Sequence, residues 1–246
     1  MRALVLQEYG QFCFENVPEP DYGPNDLLVQ VKACAICGSD VHGMDGSTGR
    51  RIPPVIMGHE ASGVVAAMGV NVKGFAIGDR ITFDSTIYCG ECYFCRNGQV
   101  NLCENRRVLG VSCDGYRQNG AFAEYITIPQ HIAYHLPVGI SFEQAAMVEP
   151  VSIAVHAVSR SPVSLNDSAV VVGVGMIGLF VVQILRLAGC GQIIAVDLDS
   201  QKFKLAREFG ATHCLETDRD NLPDQIAKLT NGRGADIAFE AVGITA

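Results

Sequence analysis

The sequence lacks any apolar run of about 18 residues, the length that a membrane-spanning helix needs, although 48% of its 246 residues are hydrophobic. Its first segment, MRALVLQEYG, has no long apolar core and no small-residue cleavage site, so we expect no secretory signal. Repeats and low-complexity segments are also missing. The composition therefore predicts a soluble protein of one or two globular domains, with no membrane partner.

Positive charge is also scarce. Lys and Arg number 18 against 26 Asp and Glu, which gives a formal net charge of −8. The most basic short stretch, Arg106-Arg107, is too small to offset phosphate repulsion, so we expect no nucleic-acid partner. Ten cysteines without a secretory signal indicate a reducing compartment, and we expect the cytoplasm.

The cysteines carry the strongest motif of the chain. The segment CGECYFCRNGQVNLC has the spacing C-x2-C-x2-C-x7-C. Four thiolates so close in sequence can converge on one tetrahedral Zn2+ and leave no open position, which predicts a structural zinc site. The alternative is an ordinary cysteine-rich loop, with or without disulfide bonds. The predicted ligands are Cys89, Cys92, Cys95 and Cys103.

The pattern of apolar residues changes near residue 150. Before it, DLLVQVKA, ASGVVAAMG, DRITF and AFAEYITI predict strands of a small irregular barrel. After it, helical spacing begins at about residue 152, and strand and helix patterns alternate, which predicts a parallel sheet. We expect domains at 1–150 and 151–246. Four strands are identifiable in the second domain, whereas a doubly wound dinucleotide domain has six, so we expect it to be partial.

A G-x-G-x-x-G motif follows the predicted strand SAVVV and opens an apolar helix, which is the context of a dinucleotide site. Its glycines permit a tight turn, a close approach of the pyrophosphate and close packing of helix on strand. The next strand ends at Asp197, which would bind the adenosine ribose and repel a 2′-phosphate, so NAD is favoured over NADP. Lys202 could reach the same ribose or lie on a solvated helix face. The alternative is a plain βα turn. The motif residues are Gly173, Gly175, Met176, Ile177 and Gly178.

The predicted ligands of a second zinc are Cys37, His59 and Glu60, and Glu149 is a candidate fourth or exchanging ligand. Cys, His and Glu all bind zinc, and a catalytic zinc keeps one position open. Their separation in sequence makes this inference weaker than the four-cysteine one. Taken alone, Gly-His-Glu is more typical of a surface turn, and Cys37 of a buried thiol.

These motifs together resemble the zinc-dependent medium-chain alcohol and polyol dehydrogenases, over the whole chain and in the same order: CGSDVH, GHE, the four-cysteine segment, EPVSIAVHA, GVGMIG and Asp197. The resemblance implies a GroES-like β-barrel catalytic domain followed by a truncated Rossmann doubly wound sheet. Glu149 stands where the alcohol dehydrogenase pattern has Cys, which is similar to the sorbitol, butanediol and threonine dehydrogenase branch. In that branch the glutamate of the GHE motif is commonly a direct ligand. The resemblance therefore implies that Glu60 is a ligand here, and that Glu149 binds the metal or holds its water.

The resemblance implies hydride transfer between a small secondary alcohol and NAD, with Ser39 and His42 relaying the alcohol proton to solvent. Asp40 would orient a ligand, and Arg50, Arg51 and Tyr116 are candidates for contact with substrate. Family members are commonly homodimers or homotetramers. The alternatives are threonine oxidation, for which no carboxylate partner stands out, a non-catalytic nucleotide-binding relative, and a zinc module for protein or nucleic-acid contacts.

Overall fold

The computed structural model of this chain describes residues 1–113, 116–217 and 221–243. Two units separate in it, Met1–Glu149 and Pro150–Ala246. None of the described helices is both long and apolar enough to cross a membrane.

Short alternating segments form the antiparallel sheets of the first unit. The largest sheet has five strands in the order β10-β6-β5-β3-β9, and a smaller one has the order β2-β1-β4. The strands are β1 (Arg2–Glu8), β2 (Gln11–Asn16), β3 (Asp26–Ala35), β4 (Val55–Ile56), β5 (Glu60–Met68), β6 (Arg80–Phe83), β7 (Thr86–Ile87), β8 (Arg107–Val108), β9 (Tyr125–Pro129) and β10 (Ala133–His135). The helices are α1 (Gly38–Gly43), α2 (Tyr93–Arg96) and α3 (Phe142–Ala146), while α4 (Val148–Ser159) begins at the end of this unit and belongs mostly to the second.

The predicted strands at DLLVQVKA, ASGVVAAMG and DRITF are confirmed as β3, β5 and β6. The segment AFAEYITI behaves differently, because only its second half forms β9. Its first half bridges to β1 instead, where Leu4 N–H donates to the Phe122 carbonyl at 2.8 Å. Buried side chains from the strands and from the segments between them form one apolar cluster, which is Leu27, Val29, Ala61, Val65, Ile81, Phe83, Ile87, Leu109, Ala121, Ile126, Ile128 and Ile132.

The pairing of β3 with β5 sets the geometry at one end of the barrel. The two strands run antiparallel, and the last residue of β3 lies opposite the first residue of β5, as Ala35↔Glu60. The chain leaving β3 therefore lies beside the chain entering β5, although the sequence separates them widely.

The second unit is a parallel sheet with helices between its strands, in the order β13-β12-β11-β14. This is the strand order 3-2-1-4 of a doubly wound dinucleotide fold, so the predicted fold class is confirmed. Its apolar core lies between α5, α6 and the sheet. The elements are β11 (Ser168–Val172), α5 (Met176–Leu187), β12 (Gln192–Asp197), α6 (Phe203–Phe209), β13 (His213–Glu216), α7 (Leu222–Leu229) and β14 (Ile237–Glu240).

One predicted boundary is wrong. The sequence places helical spacing from about residue 152, whereas α4 begins at Val148. Pro150 falls in the first turn of α4, where the missing N–H costs no hydrogen bond. Glu149 consequently lies on the first turn of a helix and not on a connecting segment.

Ile81→Ala should lower the free energy of unfolding of the first unit by about 2–5 kcal/mol, because Ile81 is fully buried in the barrel cluster and the smaller side chain leaves a cavity. Chemical denaturation measures the change. The matched control is Val138→Ala at a fully exposed position, where a change within about 0.5 kcal/mol is expected. Equal effects at the two positions would contradict the assignment of the core.

Candidate active site and metal centres

The antiparallel register brings three predicted metal ligands together. Cys37 follows β3 and caps α1, while His59 precedes β5 and Glu60 begins it. One ligand atom from each of the three, a sulfur, a ring nitrogen and a carboxylate oxygen, lies within 4.8 Å of the others. Three protein donors leave the fourth position of a tetrahedral ion open, which is the arrangement of catalytic zinc sites.

Glu60 provides the clearest sign that this cluster suits a cation. Its side chain is 0% exposed, and neither of its carboxylate oxygens has a hydrogen-bond partner among the described residues. Burial raises the pKa of the Glu60 carboxyl above its usual value. A buried carboxylate without a donor is costly, and a metal ion would satisfy both of its oxygens. The donor set therefore fits zinc.

Asp40 supports the cluster from the side, as the sequence predicts. Its Oδ2 accepts the backbone N–H of Cys37 at 3.2 Å, and its Oδ1 lies 3.5 Å from His59 Nδ1. Burial would lower the pKa of His59, but the neighbouring Asp40 and Cys37 outweigh it and raise that pKa to about 10. Burial likewise would raise the pKa of Asp40, yet contacts with His59, the Cys37 N–H and Arg51 hold it below its usual value.

Glu149 lies outside the group of three ligand atoms. Its Oε1 accepts a hydrogen bond from Ser85 Oγ at 3.2 Å, while burial and the nearby Glu60 charge raise the pKa of its carboxyl. Glu149 and His59 nevertheless line one cavity of about 1080 Å³. Glu149 thus lies on the wall of the same cavity as His59, and its carboxylate is held by Ser85.

Ser39 and His42 both lie on α1, at positions i and i+3 of one helix face. Cys37 and Asp40 form a reciprocal cap at its start, where Ser39 N–H points to Cys37 Sγ at 3.5 Å. Ser39 lines the cavity together with His59. His42 is exposed in the last turn, and its carbonyl accepts a hydrogen bond from Ser47 Oγ at 2.9 Å.

The four clustered cysteines form a second group whose sulfur atoms lie within 4.8 Å of one another. Cys89 Sγ is 3.5 Å from Cys103 Sγ and 3.9 Å from Cys95 Sγ. Zn–S bonds of 2.3 Å in a tetrahedron require sulfur atoms about 3.8 Å apart, so the spacing fits zinc. Among the described residues, the four cysteines of this lobe form no disulfide bond, so the disulfide form of the alternative is wrong.

The electrostatics of this lobe also fit a cation. Backbone N–H groups of Glu91 and Cys92 lower the pKa of Cys89 to about 6, and the N–H groups of Cys95 and Glu104 lower that of Cys92. Desolvation and the neighbouring thiols raise the pKa of Cys95 to about 12. Thiolates packed so closely cannot all ionise without a positive partner, and a metal ion supplies one.

The glycine motif forms the turn between β11 and α5. Gly173 has φ +87°, and a Cβ on Gly178 would overlap the Gly173 carbonyl oxygen. Gly175 caps α5, and a Cβ there would meet no atom within 4 Å. Met176 and Ile177 begin the helix, whose free N–H groups and positive dipole end suit phosphate. The backbone thus favours glycine at positions 173 and 178, and the space beside Gly175 is open to a ligand.

Asp197 and Lys202 meet at the end of β12. Lys202 Nζ lies 2.9 Å from Asp197 Oδ1, and Asp197 Oδ2 accepts the Val174 N–H at 2.8 Å. Burial would raise the pKa of Asp197, but Lys202 and the N–H groups of Asp199 and Val174 hold it below its usual value. The carboxylate is therefore ionised at neutral pH and fixed beside the glycine turn.

Sequence reasoning did not find two contacts. Ser85 anchors Glu149, and Arg51, a predicted substrate contact that does line the cavity, is also paired with Asp40 at 3.3 Å. Neither pairing is local, and no motif marks it. The cap that Cys37 and Asp40 form at the start of α1 is local in sequence. Its spacing, Cys-x-x-Asp, resembles a capping box, and this resemblance could have predicted the cap.

Comparison with known proteins gives two family matches. The model "Alcohol dehydrogenase GroES-like domain" matches residues 23–138, and "Zinc-binding dehydrogenase" matches residues 176–246. The chain is 34% identical to a sorbitol dehydrogenase of Bacillus subtilis, covering 99% of this chain and 69% of that protein. It is 36% identical to an L-threonine 3-dehydrogenase of Yersinia enterocolitica, and the match covers 99% of this chain and 71% of that protein.

A solved structure is also similar. The crystal structure of a zinc-binding dehydrogenase from Sinorhizobium meliloti, bound to NADP, has a TM-score of 0.88 and 35% identity, covering 99% of this chain and 70% of that one.

Cys95→Ser should remove the metal from the four-cysteine lobe and lower its thermal stability, because three thiolates bind zinc less tightly than four. Metal content of the purified chain and thermal unfolding measure the two effects. Cys13→Ser on β2, a free cysteine outside both ligand groups, is the control and should change neither. A Cys95→Ser protein with unchanged metal content and unchanged melting would refute the assignment of this lobe.

Proposed function

Because the chain belongs to the zinc-dependent medium-chain alcohol dehydrogenase family, we propose that it transfers a hydride between a secondary alcohol of the polyol, diol or sugar-alcohol class and NAD. The observation that carries this proposal is the cluster of Cys37, His59 and Glu60, in which a buried carboxylate lacks any donor. We assign residues 1–150 to the catalytic domain and 151–246 to the NAD-binding domain.

We propose two zinc ions per chain, a structural one at the four cysteines and a catalytic one at the cluster, where Glu149 binds the metal or holds its water. The catalytic zinc supplies Lewis-acid attraction that lowers the pKa of an alcohol, and nicotinamide supplies the hydride acceptor. Asp40 holds the His59 ring in place. Ser39, on the wall of the same cavity, accepts the alcohol proton, and His42 on the next turn delivers it to solvent.

The preference for NAD over NADP depends on Asp197. Its ionised carboxylate can accept hydrogen bonds from both ribose hydroxyls and would repel a 2′-phosphate. Lys202 is held by Asp197 at 2.9 Å and offers a donor to the same ribose. The Sinorhizobium meliloti relative was solved with NADP, so this preference is a property to test in this chain.

The cavity wall bears on the substrate class. Arg50, Arg106 and Arg107 line it together with Ser39 and His59. These side chains could accept a carboxylate or a phosphate, which supplies the anion partner that the sequence did not reveal. Threonine oxidation therefore remains the second candidate, beside a phosphorylated sugar alcohol.

We further propose that the protein works in the cytoplasm as a homodimer or homotetramer. The free thiols at the two candidate metal sites support a reducing compartment. The mass of the protein in solution would test the oligomeric state.

Turnover is tested on a panel of sorbitol, xylitol, 2,3-butanediol, threonine and a sugar-alcohol phosphate, by following NAD reduction and zinc content together. We expect two zinc ions per chain and reduction with one substrate class. Cys37→Ser should lower kcat by a factor on the order of 1000 or more while the fold persists, because the metal loses a ligand. Near-normal turnover in Cys37→Ser would refute the zinc mechanism, and zinc with NAD binding but no turnover would favour the non-catalytic relative.

Asp197→Ser should shift the ratio of kcat/KM for NAD over that for NADP toward NADP by about tenfold to 100-fold, since the charge that repels the 2′-phosphate is removed. Steady-state kinetics with both cofactors measure this ratio. The matched control is Asp199→Ser, which removes a neighbouring carboxylate and keeps that of Asp197. An unchanged ratio in Asp197→Ser would show that Asp197 does not select the cofactor.

A further inference from the structure

Arg51 is buried at 4% exposure, which is rare for an arginine. One of its nitrogen atoms, Nη2, donates to Asp40 Oδ1 at 3.3 Å and to Ser39 Oγ at 3.4 Å. The same nitrogen thus contacts the carboxylate beside His59 and the hydroxyl on the cavity wall.

The backbone on either side of Arg51 is fixed. Ser112 N–H donates to the Arg50 carbonyl at 3.0 Å, and Ser112 Oγ exchanges two hydrogen bonds with the backbone of Ile52 at 2.8 and 2.9 Å. The side chain then crosses α1 at Gly43, where a Cβ would lie 2.7 Å from Arg51 Cγ. The path to Asp40 and Ser39 is therefore built into the fold.

We propose that Arg51 is a positioning residue for the dehydrogenase reaction, which holds the Asp40 carboxylate against His59 and fixes the direction in which the Ser39 hydroxyl passes its proton. This inference rests on the proposed function for its second half. Its first half concerns metal binding alone.

The link to the metal runs through Asp40. Asp40 is 3% exposed, and its Oδ1 faces both Arg51 and His59. Without Arg51, a buried carboxylate would keep only part of its ion pairing and would move toward other donors. Groups that orient a metal-ligating histidine typically change metal affinity by about 10- to 100-fold when they are removed.

The link to the proton runs through Ser39. A hydroxyl has one O–H to donate and two acceptor positions, whereas a guanidinium can only donate. Arg51 occupies one acceptor position, which leaves the other for the substrate hydroxyl. As the substrate proton moves onto Ser39 Oγ, the proton that Ser39 already carries leaves toward solvent, so each transfer leaves the hydroxyl neutral. Arg51 thus restricts the hydroxyl to one direction of transfer.

Arg51→Met tests both links in the whole chain. Zn2+ is transferred from the protein to a chromophoric chelator. The zinc affinity of the cluster of Cys37, His59 and Glu60 should fall by about 10- to 100-fold, while the zinc affinity of the four-cysteine lobe serves as an internal reference. With the alcohol that is turned over, kcat should fall by about 100-fold, and the solvent deuterium isotope effect on kcat should rise because proton transfer becomes slower. Arg51→Gln, which keeps a neutral donor, should show both shifts at reduced size.

The matched control is Arg2→Met. Arg2 also pairs with a carboxylate, Glu124, at 3.0 Å, but both side chains are largely exposed, so the pair contributes little. We expect wild-type zinc affinity and a wild-type isotope effect from it.

Wild-type zinc affinity and a wild-type isotope effect in Arg51→Met would overturn the proposal. A lower melting temperature with both unchanged would do the same, by assigning Arg51 to the fold. A lower zinc affinity with an unchanged isotope effect would overturn the claim that Arg51 directs proton transfer by Ser39. If Arg51→Met gave no folded protein, the same criteria would apply to Arg51→Gln. The zinc titration needs no turnover. A chain without dehydrogenase activity would therefore refute the proposed function, and the titration would still test the effect of Arg51 on zinc binding.

Discussion

The antiparallel register of β3 and β5 is the constraint on which the candidate active site depends. Opposite pairing of Ala35 and Glu60 places the chain leaving β3 beside the chain entering β5. Cys37 and His59 can share one ion only because of that pairing. A slip of one residue would turn Glu60 to the other face of the sheet and separate the donors, so the buried cluster of the barrel also fixes the metal geometry.

Charge is the second constraint, and it is coupled to the first. The register buries Glu60 and, through the cap on α1, Asp40, so two carboxylates lie in a region with little water. Arg51 offsets one of them. The orphaned oxygens of Glu60 leave the other without a partner, and a divalent cation is the group that resolves this cost. The site therefore combines buried carboxylates, whose charges need partners, with donors that suit zinc.

How much the sequence could predict follows from how local each feature is. The four-cysteine lobe and the glycine turn each lie within one short segment, so spacing alone specified their residues. For Cys37, His59 and Glu60 the residues alone gave a weaker prediction, which the family resemblance strengthened, because the register that joins them depends on the whole barrel. Ser85 and the pairing of Arg51 with Asp40 were missed for the same reason. The start of α4 was misplaced because the first helical turn tolerates Pro150, which reads in the sequence as a break.

The two metal candidates differ in what their ions would do for the chain. In the lobe, the helix α2 spans only Tyr93–Arg96 and has no buried residue, so sulfur–metal bonds would supply the order that an apolar core supplies elsewhere. At the cluster, the barrel already holds Glu60 and His59 in place through β5. Loss of an ion from the lobe would therefore act on folding, whereas loss from the cluster would act on chemistry. In the proposed assignment zinc would thus have two roles in one unit, and the degree of packing around each site would separate them.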